Sequence, residues 1–328
     1  MNAPTDQMPS WAEPQLATLT RERFSDPGWI FERKLDGERC LAFAEPGGVR
    51  LMTRNQKDIT GTFPEIADAL ESQRHGDFLI DGEIVAFEGV ETRFEQLQQR
   101  LGVRHPSEEE LRSVPAYLYV FDILFDNGRD VRDLPLLERK KLLAGLLEFR
   151  DPLRFTEHRE RDGEAYARQA CIDGWEGLIA KRADAPYQGG RSRDWLKFKC
   201  ENGQEFVIGG WTDPQRSRVG LGALLLGYYN PRGGLVYAGK VGTGFTNQML
   251  RDLHARLARL ERDQTPFDEG HLPGRRGVHW AEPRLVGQVG FTEWTRDGEL
   301  RHPRFQGLRD DKEPRDVVRE SPAESDGS

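Results

Sequence analysis

The chain has few cysteines and no long apolar run. Its 328 residues contain three cysteines, Cys40, Cys171 and Cys200, which are odd in number and far apart. Such spacing fits neither a disulfide framework nor a zinc site, and it predicts free thiols in a reducing, cytoplasmic compartment. No stretch approaches the roughly 18 consecutive apolar residues of a membrane span. The first ten residues lack the basic and apolar regions of a secretory signal, so we expect a soluble globular protein.

The chain also lacks an excess of basic residues. Its formal net charge is −8, with 31% charged and 37% hydrophobic residues. An acidic total argues against a surface that coats DNA on all sides. A basic face is still compatible with it, because only the charge of the surface that meets phosphate matters. The length allows two domains with separate cores.

Strand-like and helical patterns alternate up to about Lys199. Alternation around the turn Pro46-Gly47-Gly48 predicts a hairpin over residues 41–54. Residues 78–87 predict two strands around a glycine bend, and residues 117–124 predict a buried strand. Helical spacing predicts three helices, at residues 63–71, 138–149 and 165–172.

The pattern changes after Cys200. Short strand patterns separated by Gly, Pro and Asn turns alternate with one helical pattern over residues 247–262. Four or five strands with one helix predict a small β-barrel of the oligonucleotide-binding type. The strand patterns cover residues 206–211, 223–229, 235–241 and 286–294. We therefore expect an α+β protein with domains at residues 1–201 and 202–313, and a disordered polar tail at 314–328.

The most informative stretch is Lys34-Leu35-Asp36-Gly37-Glu38-Arg39, which follows the apolar run Trp29-Ile30-Phe31. A free lysine has a pKa of about 10.4 and is a poor nucleophile at neutral pH. Burial and neighbouring cations lower the pKa of such an amine and let it attack, which is what we expect of Lys34. Short motifs recur by chance, so the weight of this one depends on the motifs that follow it.

Carboxylates recur in two later motifs, Asp81-Gly82-Glu83 and Glu176-Gly177. Two acids beside a triphosphate suit Mg²⁺, which takes few carboxylates and leaves its other positions to water and phosphate. Strand alternation places Glu176 and Lys181 on opposite faces unless the backbone is bulged near Gly177. Either motif alone is more often a turn acid or a surface salt bridge.

Basic residues also recur at regular spacing. Lys197 and Lys199 share one face of a predicted strand, where two like charges gain little stability, so an anion between them explains them well. Arg191 supplies another donor upstream of them. The basic tract from Arg301 to Lys312 suits a pyrophosphate clamp, because arginine binds phosphate oxygens bidentately. A solvated surface is the simpler explanation of each group taken alone.

Taken in order, these motifs resemble the ATP-dependent DNA ligases of the covalent nucleotidyltransferase superfamily, and most of all the ligase module of bacterial non-homologous end-joining proteins. The resemblance covers nearly the whole chain. It implies a nucleotidyltransferase (adenylation) domain of antiparallel sheets and helices followed by an OB-fold domain. The matching strings include Lys34 to Arg39, Thr53-Arg54-Asn55, Asp81-Gly82-Glu83, Phe121-Asp122, Glu176 to Lys181, Trp195 to Lys199, Phe206 to Gly210, Gly222 to Gly227, Tyr237 to Phe245 and Arg301 to Lys312.

The resemblance implies a role for each matching residue. Lys34 would take AMP, Glu32 would meet the adenine amino group, and Phe121 would stack on the base. Glu32 only accepts hydrogen bonds, which suits adenine and repels the O6 of guanine, so ATP is favoured over GTP. The remaining roles are ribose contacts for Arg39 and Glu83, nucleotide and 5′-phosphate placement for Arg54, phosphate contacts for Arg191, Lys197 and Lys199, metal binding for Glu83 and Glu176, and pyrophosphate orientation for Arg304, Arg309 and Lys312.

The function implied is an ATP- and Mg²⁺-dependent (or Mn²⁺-dependent) ligase that seals nicked or broken double-stranded DNA through a lysyl-AMP and a DNA adenylate. We expect a monomer in the bacterial cytoplasm, near the nucleoid, whose second domain rotates between steps. Its partners would be a Ku-like end-binding protein and separate polymerase and nuclease proteins.

Three other functions are alternatives to a DNA ligase. An RNA ligase or a GTP-using capping guanylyltransferase of the same superfamily is the closest alternative, and nucleotide choice separates the capping enzyme from a DNA ligase. A silent nucleic-acid-binding module leaves the ordered motifs of the first domain without a cause. An NAD⁺-dependent ligase is disfavoured, because the chain has no cysteine-rich zinc element and little sequence before Phe31.

Overall fold

The computed structural model describes residues 7–73, 76–200, 202–214, 218–295 and 297–320. These residues divide into two compact units, with the division directly after Cys200. Each unit combines mainly antiparallel sheets with few helices, so the α+β prediction is confirmed. Within the described residues, no helix is long and apolar enough to cross a membrane.

The first unit contains a five-stranded sheet, a six-stranded sheet and a two-stranded ribbon that pairs Phe87–Glu88 with Glu91–Thr92. The five-stranded sheet has the order β1-β13-β12-β2-β11, and the six-stranded sheet has the order β10-β8-β5-β3-β4 with β9 paired to β8. Its strands are β1 (Gln15–Leu19), β2 (Trp29–Lys34), β3 (Glu38–Glu45), β4 (Gly48–Thr53), β5 (Phe78–Val85), β6 (Phe87–Glu88), β7 (Glu91–Thr92), β8 (Tyr117–Asp126), β9 (Arg129–Asp130), β10 (Leu153–Phe155), β11 (His158–Glu160), β12 (Gly177–Arg182) and β13 (Gly190–Lys199). Its helices are α1 (Pro64–Glu71), α2 (Phe94–Gln98), α3 (Glu108–Ser113), α4 (Leu136–Leu146) and α5 (Gly163–Ile172).

Apolar side chains hold these layers together. One face of the five-stranded sheet buries residues such as Phe31 and Phe198 against α5. Its other face contributes Trp195 to a core shared with Phe121 and Leu41 of the second sheet. The far side of the second sheet packs on α1 and α4. Alternation along β2, β12 and β13 therefore gives each strand a mainly apolar face towards α5 and an opposite face that carries polar groups.

The second unit is built on a sheet of the order β16-β15-β14-β18-β17, with β21 paired to β18. Helix α6 (Asn247–Ala258) is shorter than the helical pattern predicted over residues 247–262, and it buries Leu250, Leu253 and Leu257. Leu260 lies beyond the end of this helix. The strands are β14 (Asn202–Thr212), β15 (Leu224–Tyr229), β16 (Leu235–Val241), β17 (Glu261–Arg262), β18 (Val278–Phe291), β19 (Glu293–Trp294), β20 (Leu300–Arg301) and β21 (Arg304–Leu308).

Two strand predictions are wrong in extent. Residues 78–85 form one strand instead of two, because a register shift between Asp81 and Gly82 absorbs the expected bend within the strand. The strand predicted over 286–294 begins at Val278 and ends at Phe291. Pro283 hides its first half in the sequence, since proline is rare inside a sheet, and a pairing irregularity opposite Ile208 and Gly210 accommodates it.

The predictions for the cysteines and for the tail also need correction. Cys171 and Cys200 form a disulfide, whose Cα atoms are 5.2 Å apart, and only Cys40 is a free, buried thiol. The residues predicted to begin a disordered tail are structured as far as they are described. Pro314–Asp316 form a 3₁₀ turn, and the backbone amide of Tyr229 donates a hydrogen bond to the carbonyl of the buried Val317. Residues 321–328 of the predicted tail lie outside the described residues.

Candidate active site

Strand β2 carries the two central residues of the site. Glu32 and Lys34 are two positions apart and share a face, while Phe31 points into the apolar core on the other side. Pairing places Glu32 beside Ile179 of β12 and His158 of β11, and it places Lys34 beside Gly177. The predicted nucleophile therefore lies at the carboxyl end of a central strand.

Lys34 is ion-paired with Glu176. Its Nζ lies 2.5 Å from Oε2 of Glu176, and both side chains are about three-quarters buried or more, at 19% and 28% exposure. Burial alone would lower the pKa of Lys34, but the carboxylates of Glu176, Asp36 and Glu83 outweigh it and raise the pKa above its ordinary value. The expected lowering of this pKa is therefore wrong for the ligand-free protein, because acids and not cations are its nearest neighbours.

Gly177 explains how Glu176 reaches Lys34. The glycine has φ = 150°, a conformation that L side chains rarely adopt, and a Cβ there would lie 1.8 Å from the carbonyl oxygen of Phe198. The backbone break turns Glu176 to the same side as Lys181, which strand alternation alone would forbid. The sequence places Glu176 and Lys181 on one face only if the backbone departs from regular alternation near Gly177, and the structure has this departure.

Glu32 is fully buried between two lysines. Lys140 of α4 donates a hydrogen bond to Oε1 at 2.6 Å, and Nζ of Lys181 lies 2.6 Å from Oε2. Burial alone would raise the pKa of Glu32, but the two ammonium groups outweigh it and hold that pKa below its ordinary value. Burial, with a contribution from Lys140, lowers the pKa of Lys181 to about 8 despite the attraction of Glu32.

Two aromatic rings and two cationic side chains lie next to Glu32. The ring of Phe121 packs edge-on against Trp195. Lys181 Nζ lies 4.2 Å from the centroid of Phe121 and 4.0 Å from that of Trp195. The guanidinium carbon of Arg39 lies 4.7 Å from the Phe121 centroid. A planar base that stacks on Phe121 would therefore meet cations and an acceptor carboxylate.

Arg39 is held by a buried network. It binds both oxygens of Asp81 at 2.6 Å and donates to the carbonyl of Gln15 at 3.1 Å. The hydroxyl of Tyr187 donates to Asp81 at 2.6 Å and accepts a hydrogen bond from the amide of Gln15. A bidentate arginine–carboxylate pair fixes direction as well as distance, so the position of Arg39 over Phe121 is set before any ligand binds.

The other predicted residues of the first unit lie on the surrounding strands and turns. Glu83 of β5 is opposite Arg39, and its charge contributes to the raised pKa of Lys34. Lys197 and Lys199 share the face of Trp195, with Lys199 opposite Gly177. Arg191 is exposed and donates to the carbonyl of Ala17 at 2.7 Å. Arg54 lies in the turn that follows β4.

The predicted residues of the second unit differ in their surroundings. Arg309 makes a bidentate pair with Asp311, with both distances 2.8 Å, and Lys312 Nζ lies 3.5 Å from Glu205. Arg304 is an exposed residue of β21, opposite Gly290.

The acidic pair of the first unit suits a magnesium ion chemically. Glu176 and Glu83 are both hard oxygen donors that act on Lys34, and Mg²⁺ needs only one or two carboxylates when phosphate and water complete its shell. The described part of the chain holds no cluster of three or more His, Cys, Asp or Glu side chains arranged for a metal ion.

Three residues of the site, Lys140, Lys181 and Asp81, have no role among those predicted from the sequence. Lys181 had a visible signal, since it is a charge directly after the apolar run Leu178-Ile179-Ala180. Lys140 had none, because Arg139 and Lys140 look like the polar side of an amphipathic helix, yet both are buried. Arg139 is bound there to the equally buried Asp122.

The chain is similar to known proteins over most of its length. Residues 14–199 match the family described as "ATP dependent DNA ligase domain", and residues 217–312 match "ATP dependent DNA ligase C terminal region". The chain is 40% identical to the multifunctional non-homologous end joining protein LigD of Pseudomonas aeruginosa over 96% of its own length. It is 39% identical over 89% of its length to the LigD protein of Mycobacterium tuberculosis.

A solved structure is similar as well. The structure described as mycobacterial DNA ligase D complexed with ATP and MES superposes with a TM-score of 0.67 and 36% identity, covering 94% of this chain and 98% of that one. The chain spans only 37% of the length of the two curated LigD relatives.

Proposed function

The chain belongs to the family of ATP-dependent DNA ligases, and from this we propose that it seals breaks between a 5′-phosphate and a 3′-hydroxyl in double-stranded DNA during end joining. The observation that carries the proposal is the position of Lys34. Its side chain is mostly buried, is paired with Glu176 and lies on the strand face that also carries Glu32. Phe121 and Arg39 lie beside that face.

The first step would load the enzyme. The amine of Lys34 gives up a proton, for which the Glu176 carboxylate at 2.5 Å is the nearest acceptor, and attacks the α-phosphorus of ATP. A bond forms between Nζ and phosphorus. The bond from that phosphorus to the oxygen bridging to the β-phosphate breaks, and pyrophosphate leaves with the electron pair.

Two further displacements would complete the reaction. An oxygen of the DNA 5′-phosphate attacks the phosphorus of the adenylate, and Nζ of Lys34 leaves and regains a proton. The 3′-hydroxyl oxygen then attacks the 5′-phosphate phosphorus while its proton passes to a base, and AMP leaves. Each displacement exchanges one bond to phosphorus for another, so no oxidant or further energy source is needed.

The neighbouring side chains would divide the remaining tasks. Glu32 and Phe121 would bind the base, Arg39 and Glu83 the ribose, and Lys197, Lys199 and Arg191 the phosphates, while Arg54 would place the 5′-phosphate end. Glu176 and Glu83 would hold Mg²⁺ or Mn²⁺, which supplies positive charge against the charge that builds on the phosphoryl oxygens.

The second unit and the partners complete the proposal. Of Arg304, Arg309 and Lys312, Arg304 is the best suited to orient pyrophosphate, because Arg309 and Lys312 already contact carboxylates of their own unit. The DNA ends would be held by a Ku-like end-binding protein and trimmed or filled by polymerase and nuclease activities. We place the protein in the bacterial cytoplasm.

Labelling the enzyme with nucleotide tests the proposal. Incubation with α-labelled ATP and Mg²⁺ should give a covalent adduct, visible as one added AMP by intact mass. Lys34→Ala should abolish it, and replacement of the exposed Lys141 by alanine should leave it unchanged. Label retained by Lys34→Ala contradicts the assignment of the nucleophile, and label accepted from GTP in place of ATP favours a capping-type guanylyltransferase.

A further inference from the structure

Lys140 is a buried lysine to which neither the motifs nor the proposed chemistry gives a role. It projects from α4 and is 2% exposed. Its ammonium donates to Oε1 of Glu32 at 2.6 Å, to the carbonyl of Thr156 at 3.0 Å and, more weakly, to the carbonyl of Phe121 at 3.4 Å. An ammonium has three protons, so these acceptors use all of them.

The partners of Lys140 include the two groups that the proposed function assigns to the base. Glu32 is the acceptor for the amino group, and Phe121 is the stacking ring. One ammonium therefore links the acceptor carboxylate to the backbone of the stacking residue. Any movement of α4 or of this side chain would change the spacing between them.

Lys181 approaches the same carboxylate differently. Its Nζ lies 2.6 Å from Oε2 of Glu32 and over the rings of Phe121 and Trp195. The contact is not aligned as a hydrogen bond, and this buried amine has no other acceptor among the described residues. Lys181 is thus held by one imperfect contact and occupies the space next to the stacking ring, whereas Lys140 is fixed by three acceptors.

The two carboxylate oxygens of Glu32 therefore have different partners. Oε1 is committed to Lys140, while Oε2 is the oxygen that an incoming amino group can take over from Lys181. Without Lys140 the carboxylate would be free to rotate so that both of its oxygens approach Lys181. The amino group of the base would then have to compete with Lys181 for either oxygen.

We propose that Lys140 is a positioning residue that sets nucleotide selectivity. It keeps Glu32 ionised, turns one carboxylate oxygen towards the base and fixes the Phe121 backbone beside it. The inference rests on the proposed function, since it assumes that a 6-aminopurine binds between Glu32 and Phe121.

The variant that tests this should keep its fold. Lys140→Met removes one of two cations around one carboxylate, so Glu32 stays paired with Lys181 and no lone charge is left in the core. Methionine also fills much of the volume of the lysine stem. Lys141→Met, one position along the same helix and exposed, is the matched control.

The measurement compares ATP with inosine triphosphate, which has a keto oxygen in place of the 6-amino group. Initial rates of lysyl-AMP or lysyl-IMP formation by the whole chain are recorded over a range of nucleotide concentrations. For Lys140→Met we expect the KM for ATP to rise about 10- to 100-fold with a smaller change in kcat, since a charge-assisted hydrogen bond no longer orients the acceptor. The preference for ATP over inosine triphosphate should fall by a similar factor, and Lys141→Met should match the wild type.

Several results would overturn the inference. A folded Lys140→Met with unchanged KM and unchanged preference would do so, and so would an equal loss with both nucleotides, which indicates a merely structural lysine. If Lys140→Met does not fold, Lys140→Gln keeps one donor, and unchanged preference in that variant counts against the inference in the same way. A wild-type protein that forms no lysyl-AMP at all would instead refute the proposed function.

Discussion

At the scale of single residues, the central feature is the contact between Lys34 and Glu176. The carboxylate stabilises the ammonium form and so opposes the attack that the proposed function requires of the amine. It is also the nearest group that can take the proton when the amine attacks. The ligand-free protein therefore holds the proposed nucleophile as an ammonium ion, and a bound metal ion, which would compete with that ammonium for Glu176, would favour its deprotonation.

The pH dependence of adenylation tests this interpretation. Because the pKa of Lys34 is raised, the uncharged fraction is small at neutral pH and grows about tenfold per pH unit below that pKa. We expect the logarithm of the adenylation rate to rise with pH at a slope of about one. Glu176→Gln removes the main stabiliser of the cation and should shift the rising limb to lower pH, with a reduced maximum.

The control for this profile is Glu148→Gln, since Glu148 is highly exposed. Its profile should coincide with that of the wild type. A limb that stays at the same pH in Glu176→Gln would show that the proton is not held by this ion pair.

The sequence motifs predict which residue types form the site, but they do not predict the charge state of every side chain in it. The motifs identified Lys34, Glu32, Arg39, Glu83 and Glu176, and the structure brings them to one region. The direction of the Lys34 pKa could not be predicted, because it depends on which charged groups fold nearest to the amine. The carboxylate of Glu176 lies far along the chain from Lys34 and reaches it only through the pairing of β2 with β12.

At the scale of elements, the start of β12 determines whether the site forms. Glu176 precedes the strand, Gly177 breaks the alternation, and Lys181 then follows on the same side as Glu176. The amide of Cys200 donates to the carbonyl of Glu176 at 3.0 Å, which ties this turn to the end of β13. A side chain at residue 177 would have to displace the backbone of Phe198.

Gly177→Ala should therefore be costly. Both the φ of 150° and the 1.8 Å approach of a Cβ to Phe198 oppose alanine, so we expect the free energy of unfolding to fall by about 2–4 kcal/mol. Adenylation should drop as well, because Glu176 would move away from Lys34. Equilibrium denaturant unfolding and the labelling assay measure the two effects.

Gly145→Ala provides the contrast. Gly145 lies within α4 and a Cβ there meets nothing within 4 Å, so alanine should stabilise the protein by about 0.5–1 kcal/mol. If Gly177→Ala were as harmless as this control, the backbone break would not be what positions Glu176.

Secondary structure was predictable where one pattern dominated. The β3–β4 hairpin, α1 and the buried strand β8 follow from alternation, turn residues and a proline at a helix start. The bulge in β5 and the first half of β18 were missed, since Gly82 and Pro283 read as ends of strands in the sequence. In the structure, neighbouring strands absorb both irregularities.

At the scale of the whole molecule, the cysteines show what distance along the chain conceals. Cys171 is the penultimate residue of α5 and Cys200 directly follows β13, so 29 positions separate two residues that the fold brings into bonding contact. Their odd number and wide spacing suggested free thiols, because sequence spacing carries no information about which elements fold side by side. The loop that they close contains β12 and β13, and with them Glu176, Lys181 and Lys197.

The disulfide should make the stability of the purified protein depend on whether a reductant is present. Cross-linking across this loop restricts the unfolded chain, and the chain-entropy treatment gives a stabilisation of about 2–4 kcal/mol for such a loop. Reduction should lower the free energy of unfolding of the purified protein by that amount, measured in denaturant with and without reductant. Unreduced, denatured protein should show one titratable thiol, from Cys40.

The double variant with Cys171→Ser and Cys200→Ser should be less stable and indifferent to reductant. A wild-type protein that shows three thiols before reduction would restore the free-thiol interpretation, and its stability would then have to come from the sheets alone.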